Sequence, residues 1–317
     1  MEGKILKIRN KSLWAEFGLL LVALMWGSNF IFLKNIVDVV PAQFLNAIRF
    51  LIAGVVLAAI LNVKLKKLDW QCIKAGIIKG VIMFVAFSFQ TNALRFTTVG
   101  KNSFITAVYV VIVPFLYWII KKRKPNTYHV VAAVMCVAGI GLLSLNESFS
   151  INLGDALSLA GGFVFALHIV IISIFTEKTD PVLMSVVQFL TTGILALAAA
   201  FLTEPLPQAI TLDVGLSLLY IGIIGTMLSL VMQCVCTKYT TAAKSALILS
   251  LESVFGTLLS IWILHEAVGW QSILGFVIIF AAIVLAQTEL KFLRPKTQES
   301  SAGQTAQCED CGECDYE

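Results

Sequence analysis

The sequence has few charged residues and no polar segment long enough to fold as a soluble domain. Asp, Glu, Lys and Arg make up 13% of its 317 residues, whereas hydrophobic residues make up 58% and the mean hydropathy is +0.89. Soluble domains carry about 25% charged residues. The composition therefore argues against a soluble protein and indicates that a lipid bilayer surrounds most of the chain.

Several enzyme motifs are also missing. The chain has no H-E-x-x-H metal pair, no G-x-S-x-G nucleophile turn and no P-loop. It thus offers no metal-bound water, activated nucleophile or ATP site. We predict that the protein is not an enzyme and needs no cofactor; an intramembrane enzyme is the weakest alternative.

Ten apolar stretches are long enough to cross a bilayer, which takes about 20 helical residues. We predict an all-α membrane protein in which the first stretch is a retained helix and not a cleaved signal peptide. The predicted transmembrane helices cover residues 13–33, 42–62, 72–94, 99–120, 128–145, 153–175, 182–202, 214–237, 242–264 and 269–289.

The basic residues predict an orientation. If the N-terminus is cytoplasmic, 18 of the 23 Lys and Arg residues lie inside, three lie outside, and Arg49 and Lys79 lie within spans. Cytoplasmic loops retain basic residues, so both termini, residues 1–12 and 291–317, are predicted to be cytoplasmic in a cell membrane. The net charge of +4 then reflects topology and requires no nucleic-acid partner.

The two halves of the chain look like copies of one unit. An offset of 143 residues aligns residues 90–101 (QTNALRFTTVGK) with residues 233–244 (QCVCTKYTTAAK), and an offset of 139 aligns Arg49-Phe50-Leu51 with Gln188-Phe189-Leu190. We predict two five-helix repeats, residues 13–146 and 147–290. Because five is odd, the second copy must enter from the opposite side, which gives the inverted repeats of many carriers.

These features resemble the EamA-type proteins of the drug/metabolite transporter superfamily. The resemblance rests on residues 24–30 (LMWGSNF), Arg49-Phe50 after Pro41, residues 93–98 (ALRFTT), residues 251–255 (LESVF), His265-Glu266 and Gly275. It implies a ten-helix carrier whose cavity is lined by helices one, three, four, six, eight and nine. Such carriers often export amino acids or other small metabolites.

Two departures from the family pattern warn against borrowing a substrate. Residues 121–125 (KKRKP) stand where members often have a Gly-Glu pair, and Ser253 stands where Pro is usual.

Glu252 is the most unusual residue within a span. It lies about ten residues into the predicted ninth helix, about 15 Å deep, where an ionisable side chain costs about 2.5–3.5 kcal/mol to insert. It is either a protonatable coupling or substrate-binding group, or a structural carboxylate between helices. His168, which aligns with Asn29 when Trp26 is matched to Phe165, is a second coupling candidate because His titrates near neutral pH.

Other polar residues in the spans have two interpretations each. Arg49 could bind a substrate carboxylate, but we favour a structural role, and Lys79 is expected to snorkel to the inner surface. Lys101 and Lys244 open helices four and nine and are candidate gate residues. The remaining candidate substrate contacts are Trp26, Asn29, Gln90, Asn92 and Gln233; packing or helix-to-helix hydrogen bonds are their alternative roles.

The C-terminal tail contains a C-x-x-C-x-x-C run, Cys308, Cys311 and Cys314. Three thiolates could bind zinc or another soft metal, but a structural zinc site needs four ligands and a supporting shell. No metal role is therefore the favoured interpretation, and the tail is predicted to be disordered.

The leading hypothesis is a secondary carrier that moves a small metabolite, such as an amino acid, by alternating access. Export is the favoured direction and the proton the candidate coupling ion. The alternative from another class is a membrane sensor or scaffold that uses the cysteine tail without transport.

Overall fold

The computed structural model describes residues 2–122, 125, 127–144, 152–176, 178–207, 210–240 and 242–288. These residues form α-helices, one 3-10 turn (Lys64–Lys67) and one π-helical segment (Ile223–Leu228), with no strand among them. The helices of the first half are α1 (Glu2–Ile36), α2 (Ala42–Ile60), α3 (Trp70–Ala93), α4 (Val99–Thr106), α5 (Tyr109–Lys121) and α6 (Thr127–Ser144). Those of the second half are α7 (Leu153–Phe175), α8 (Pro181–Thr203), α9 (Leu212–Gly222), α10 (Ser229–Thr237), α11 (Ala242–Ile263) and α12 (Trp270–Thr288).

Within the described residues, eight helical segments are long and apolar enough to cross a membrane. Two further apolar helices, Thr127–Leu142 and Trp270–Leu285, are shorter. The prediction of an all-α membrane protein is thereby confirmed. Helices are the expected solution, because a spanning segment must pair its own backbone N–H and C=O groups away from water.

Two of the apolar segments are interrupted where the sequence predicts continuous helices. The segment at residues 99–120 divides into α4 and α5. The two helices are joined by backbone hydrogen bonds between residues three positions apart, from Val110 N to Ala107 O and from Val111 N to Val108 O. The segment at residues 212–237 contains the π-helical turn between α9 and α10. Both interruptions lie inside the bundle, where they redirect side chains near its centre.

Carboxylates from the second half bind the N-termini of helices in the first half. Glu204, at the end of α8, accepts hydrogen bonds from the backbone N–H groups of Gln43 (2.9 Å) and Phe44 (3.2 Å) at the start of α2. Glu266 likewise accepts from Val99 N at 3.0 Å at the start of α4. The unpaired N–H groups and the positive end of the helix dipole favour these contacts.

Helices α2 and α8 pack against each other through reciprocal contacts. Gly54 of α2 faces Leu190, and Gly193 of α8 faces Leu51, each at a distance that leaves no room for a Cβ. Gly54 and Gly193, like Leu51 and Leu190, are 139 residues apart. An interface in which equivalent residues exchange partners has local two-fold character.

The π-helical segment corresponds to one extra residue in the second half. Before this segment, Gly80 packs on Gln188 O and Gly222 packs on Arg49 O. The two glycines therefore occupy equivalent positions in the two halves, and they are 142 residues apart. After it, the offset of the sequence repeat is 143. A π turn is how a helix accommodates such an insertion without losing its register beyond that point.

The expectation that Lys79 snorkels to the inner surface is wrong. Its side chain is fully buried, and its ammonium donates to Cys234 Sγ at 3.2 Å. The reason is packing: the next residue, Gly80, brings α3 against α8 so closely that this part of α3 lies inside the bundle.

Candidate functional site: a polar cavity between the two halves

A cavity lies at the centre of the bundle, and both halves of the chain contribute to its wall. Six of the seven residues proposed from the sequence as substrate or coupling contacts line it. The cavity-lining residues are Trp26, Asn29, Phe30, Leu33, Met83, Phe87, Gln90, Tyr109, Phe165, His168, Ile169, Gly225, Leu230, Gln233 and Glu252.

Glu252 is the cavity's carboxylate. It is 4% exposed, and the hydroxyl of Tyr109 donates to its Oε1 at 3.4 Å. This is a long hydrogen bond, so it leaves the carboxyl group with acceptor capacity for a proton or a solute.

The polar groups of the cavity come in pairs that occupy equivalent positions in the two halves. Tyr109 and Glu252 are separated by 143 residues, the offset of the sequence repeat, and so are Gln90 and Gln233. Both pairs line the cavity. The cavity therefore lies where the two repeats meet.

The π-helical segment shapes one wall. Gly225, within it, lies directly against the side-chain amide of Asn29 and leaves no room there for a Cβ. At the end of the segment, Ser229 accepts a hydrogen bond from Trp26 Nε1 at 2.9 Å and donates to Gly225 O at 2.8 Å. A larger residue here would have to displace the Asn29 amide, because the turn brings its backbone against α1.

Hydrogen-bonding capacity is left free around the cavity. The amide oxygens of Asn29 and Gln233 have no hydrogen-bond partner within the described part of the chain. His168 is 1% exposed, and the amide Nε2 of Gln188 lies 3.3 Å from its Nε2. Buried polar atoms without partners are costly, and a solute or water can satisfy them.

The cavity is narrow in this conformation. The centre of a water molecule can reach about 30 Å³ of it, which is room for roughly two water molecules. Sites that hold small molecules are roughly ten or more times larger. In this conformation the cavity is therefore too small to hold a molecule of metabolite size.

Arg49 lies immediately outside the cavity wall. Its side chain is fully buried, and Nε, Nη1 and Nη2 have no hydrogen-bond partner among the residues that the structure describes. The guanidinium carbon lies 4.0 Å from the ring centroid of Phe87 and 4.9 Å from that of Phe50. Desolvated cation–π contacts contribute about 2 kcal/mol, but they leave the N–H donors without acceptors.

Two other sequence candidates, Asn92 and Lys101, are not among the residues that line the cavity. Asn92 donates to Ser88 O within α3 at 2.8 Å, and Lys101 lies 3.7 Å from Asp155 Oδ2. Lys244 lies in the first turn of α11, and its side chain is outside the described residues. Cys308, Cys311 and Cys314 also lie outside them, and the described residues contain no group of three metal-ligating side chains.

Sequence reasoning did not single out Tyr109, although the repeat offset that aligns Gln90 with Gln233 also aligns Tyr109 with Glu252. It also missed Phe30, Phe87 and Gly225. No sequence signal separates these residues from the other apolar and small residues of their helices.

Fold and cavity together define a multi-pass α-helical membrane protein in which a mainly apolar cavity between two repeats carries several polar side chains. A family model described as the EamA-like transporter family matches residues 13–145 and 152–288. The chain belongs to this family of membrane transporters, as the sequence resemblance predicted.

Curated relatives agree with this assignment. An uncharacterized transporter of Archaeoglobus fulgidus is 31% identical over 87% of this chain and 86% of its own. Protein PecM of Dickeya dadantii is 25% identical over 86% of this chain and 92% of its own. A crystal structure of a protein with 17% sequence identity superposes with a TM-score of 0.67 over 89% of this chain and 99% of the other, which shows a common fold.

Proposed function

We propose that the protein is a secondary carrier that moves a small metabolite, such as an amino acid, across a cell membrane by alternating access. The observation that carries this proposal is the central cavity, in which equivalent positions of both repeats supply the polar groups. A site on the axis between two similar units can face either side of the membrane when one unit rocks against the other.

The proposed arrangement has ten membrane-crossing helices, α6 and α12 included, in two inverted repeats covering residues 13–146 and 147–290. The reciprocal contacts between α2 and α8 support the inverted relation. The excess of basic residues in the loops on one side supports cytoplasmic termini.

Export with proton coupling is the proposed direction and energy source. Glu252 is the proposed proton carrier and His168 the second candidate. Burial of both residues on the cavity wall supports this role, because ionisable groups inside a bundle are expensive to keep and commonly serve proton relays in transporters.

Flux in proteoliposomes tests the proposal. The purified full-length chain is expected to exchange a labelled solute for the same unlabelled solute, in a panel of amino acids, nucleosides, sugars and organic cations, and a pH gradient should drive net movement of that solute. If no solute of the panel moved by counterflow or under a pH gradient, the carrier proposal would be wrong.

Cysteine labelling tests the orientation. Lys122 and Asp38 are exposed at opposite ends of the bundle, and each is replaced by cysteine in a chain whose native cysteines are changed to alanine. Membrane-impermeant maleimide added to intact cells should label Asp38→Cys and spare Lys122→Cys. The reverse pattern would overturn the orientation.

A further inference from the structure

The buried charges near the cavity do not balance. Among the described side chains, the buried residues with a formal charge are Arg49, Lys79, Asp155 and Glu252. Asp155 has Lys101 at 3.7 Å. Two buried cations therefore remain against the single carboxylate of Glu252.

Of the two cations, Arg49 is the one without an acceptor. Lys79 donates to the thiol of Cys234, whereas the described part of the chain gives the guanidinium nitrogens of Arg49 no acceptor at all. A guanidinium has five N–H donors in a fixed plane. A buried cation without an anionic or hydrogen-bonding partner is strongly unfavourable, which indicates that the partner arrives from elsewhere.

One aromatic ring both contacts this guanidinium and lines the cavity. Phe87 has its ring centroid 4.0 Å from the guanidinium carbon of Arg49, and it also belongs to the cavity wall. On the wall it packs edge-on against Phe165 at 5.1 Å. Displacement of the Phe87 ring would open the cavity to the N–H donors of Arg49.

Resting on the proposed carrier function, we infer that Arg49 binds a carboxylate of the transported solute, and that Phe87 is the movable wall between them. The planar guanidinium can make two parallel N–H···O bonds to a carboxylate. The free amide oxygens of Asn29 and Gln233 and the carboxyl of Glu252 are then available to donor groups on the same solute. The substrate class is a small carboxylic acid, with amino acids included.

Matched acids and amides test this inference. The probes are 3-phenylpropionate, L-leucine and L-phenylalanine, each beside its amide, applied to the purified full-length chain. Binding is measured as the shift of the unfolding temperature in detergent, and transport as counterflow in proteoliposomes. The unsubstituted protein is expected to prefer each acid to its amide.

Three substitutions assign that preference to Arg49. Arg49→Met, which fills the space without a charge, should reduce the acid-to-amide preference about 10- to 100-fold, the loss expected for a hydrogen-bonded charge pair. Arg49→Lys should keep part of it, because the charge remains and the planar fork is lost. Phe87→Leu should increase the acid-to-amide preference, because the smaller side chain uncovers the guanidinium.

Arg95→Met is the matched control, since Arg95 is exposed at the end of α3 and its removal should leave the preference intact. An acid-to-amide preference that is absent from the unsubstituted protein, or unchanged in both Arg49→Met and Phe87→Leu, would overturn the inference. If any solute of the panel moves by counterflow, the carrier proposal stands whether or not the inference about Arg49 does. Absence of all flux would instead contradict the carrier proposal.

Discussion

The two halves of the protein share a scaffold but differ in the chemistry that they place at equivalent positions. Where the first half has Tyr109 and Asn29, the second has Glu252 and His168, and all four line one cavity. The carboxyl and imidazole groups of this set thus come from the second half. Two copies of one fold can therefore place different chemical groups at equivalent positions.

The buried guanidinium, in contrast, comes from the first half. Arg49 of the first half occupies the position of Gln188 in the second. Gln188 is paired with His168, whereas the guanidinium of Arg49 lies over the rings of Phe50 and Phe87. Each half therefore contributes a buried polar group that its counterpart lacks.

The largest expected effect comes from removing the carboxyl group of the Tyr109–Glu252 pair. Glu252→Gln should lower proton-driven flux about 100-fold, equal to roughly 2.7 kcal/mol, because an amide cannot take up the coupled proton. Counterflow without a pH gradient should persist. Asp213→Asn, at an exposed position in α9, is the control. Unchanged proton-driven flux in Glu252→Gln would remove Glu252 from the coupling mechanism.

Exchanging the two residues tests whether their positions are equivalent. The double variant Tyr109→Glu with Glu252→Tyr keeps one phenol and one carboxyl group between the two repeats. It should recover about a tenth of the flux that Glu252→Gln loses. A coupling of this size is typical of residues in contact. Flux is measured under the same pH gradient. A double variant as inactive as Glu252→Gln alone would show that the carboxyl group must come from the second half.

The sequence alone could predict the helical membrane fold and the family because both depend on patterns that run the length of the chain. Bilayer thickness sets the period of the apolar stretches, and the duplication leaves matching segments such as Gln90 and Gln233. Polar cavity candidates could be selected because a polar residue within an apolar span is rare.

The rest of the site could not be predicted because it is apolar or depends on geometry. Phe30 and Phe87 line the cavity, yet in a helix that is hydrophobic on every side no periodicity separates a cavity wall from a lipid-facing surface. The π-helical segment follows from one extra residue that only a comparison of both halves in space reveals. Lys79 could not be placed because its depth depends on how closely Gly80 approaches α8.

The different contact distances at two equivalent glycines, Gly80 and Gly222, predict that they tolerate alanine differently. In Gly80→Ala the new Cβ would lie 2.6 Å from Thr191 Cβ and 2.9 Å from Gln188 O, whereas in Gly222→Ala the nearest atom would be Ile52 Cγ2 at 3.1 Å. Overpacking costs about 1–3 kcal/mol, so Gly80→Ala should destabilise the protein by that amount and Gly222→Ala by less.

Thermal unfolding in detergent measures this difference. Gly215→Ala is the control, because nothing lies within 4 Å of its added Cβ, and it should be neutral or slightly stabilising through helix propensity. Equal destabilisation by Gly80→Ala and Gly222→Ala would mean that the two helix crossings are equally tight.

The smallest effect is expected from making the two cavity walls alike at one position. Trp26 stands where the second half has Phe165, and Trp26→Phe removes the hydrogen bond from its indole N–H to Ser229 Oγ. One such bond contributes about 1 kcal/mol, so a slight fall of the unfolding temperature is expected. Trp14→Phe, at an exposed position with 74% of the residue accessible, should leave that temperature unchanged.

Because Ser229 also bonds to Gly225 O at the π-helical segment, its hydroxyl stays anchored without Trp26, and flux should be nearly preserved in Trp26→Phe. A severe loss of flux at unchanged stability would instead identify the indole itself as a contact of the transported solute.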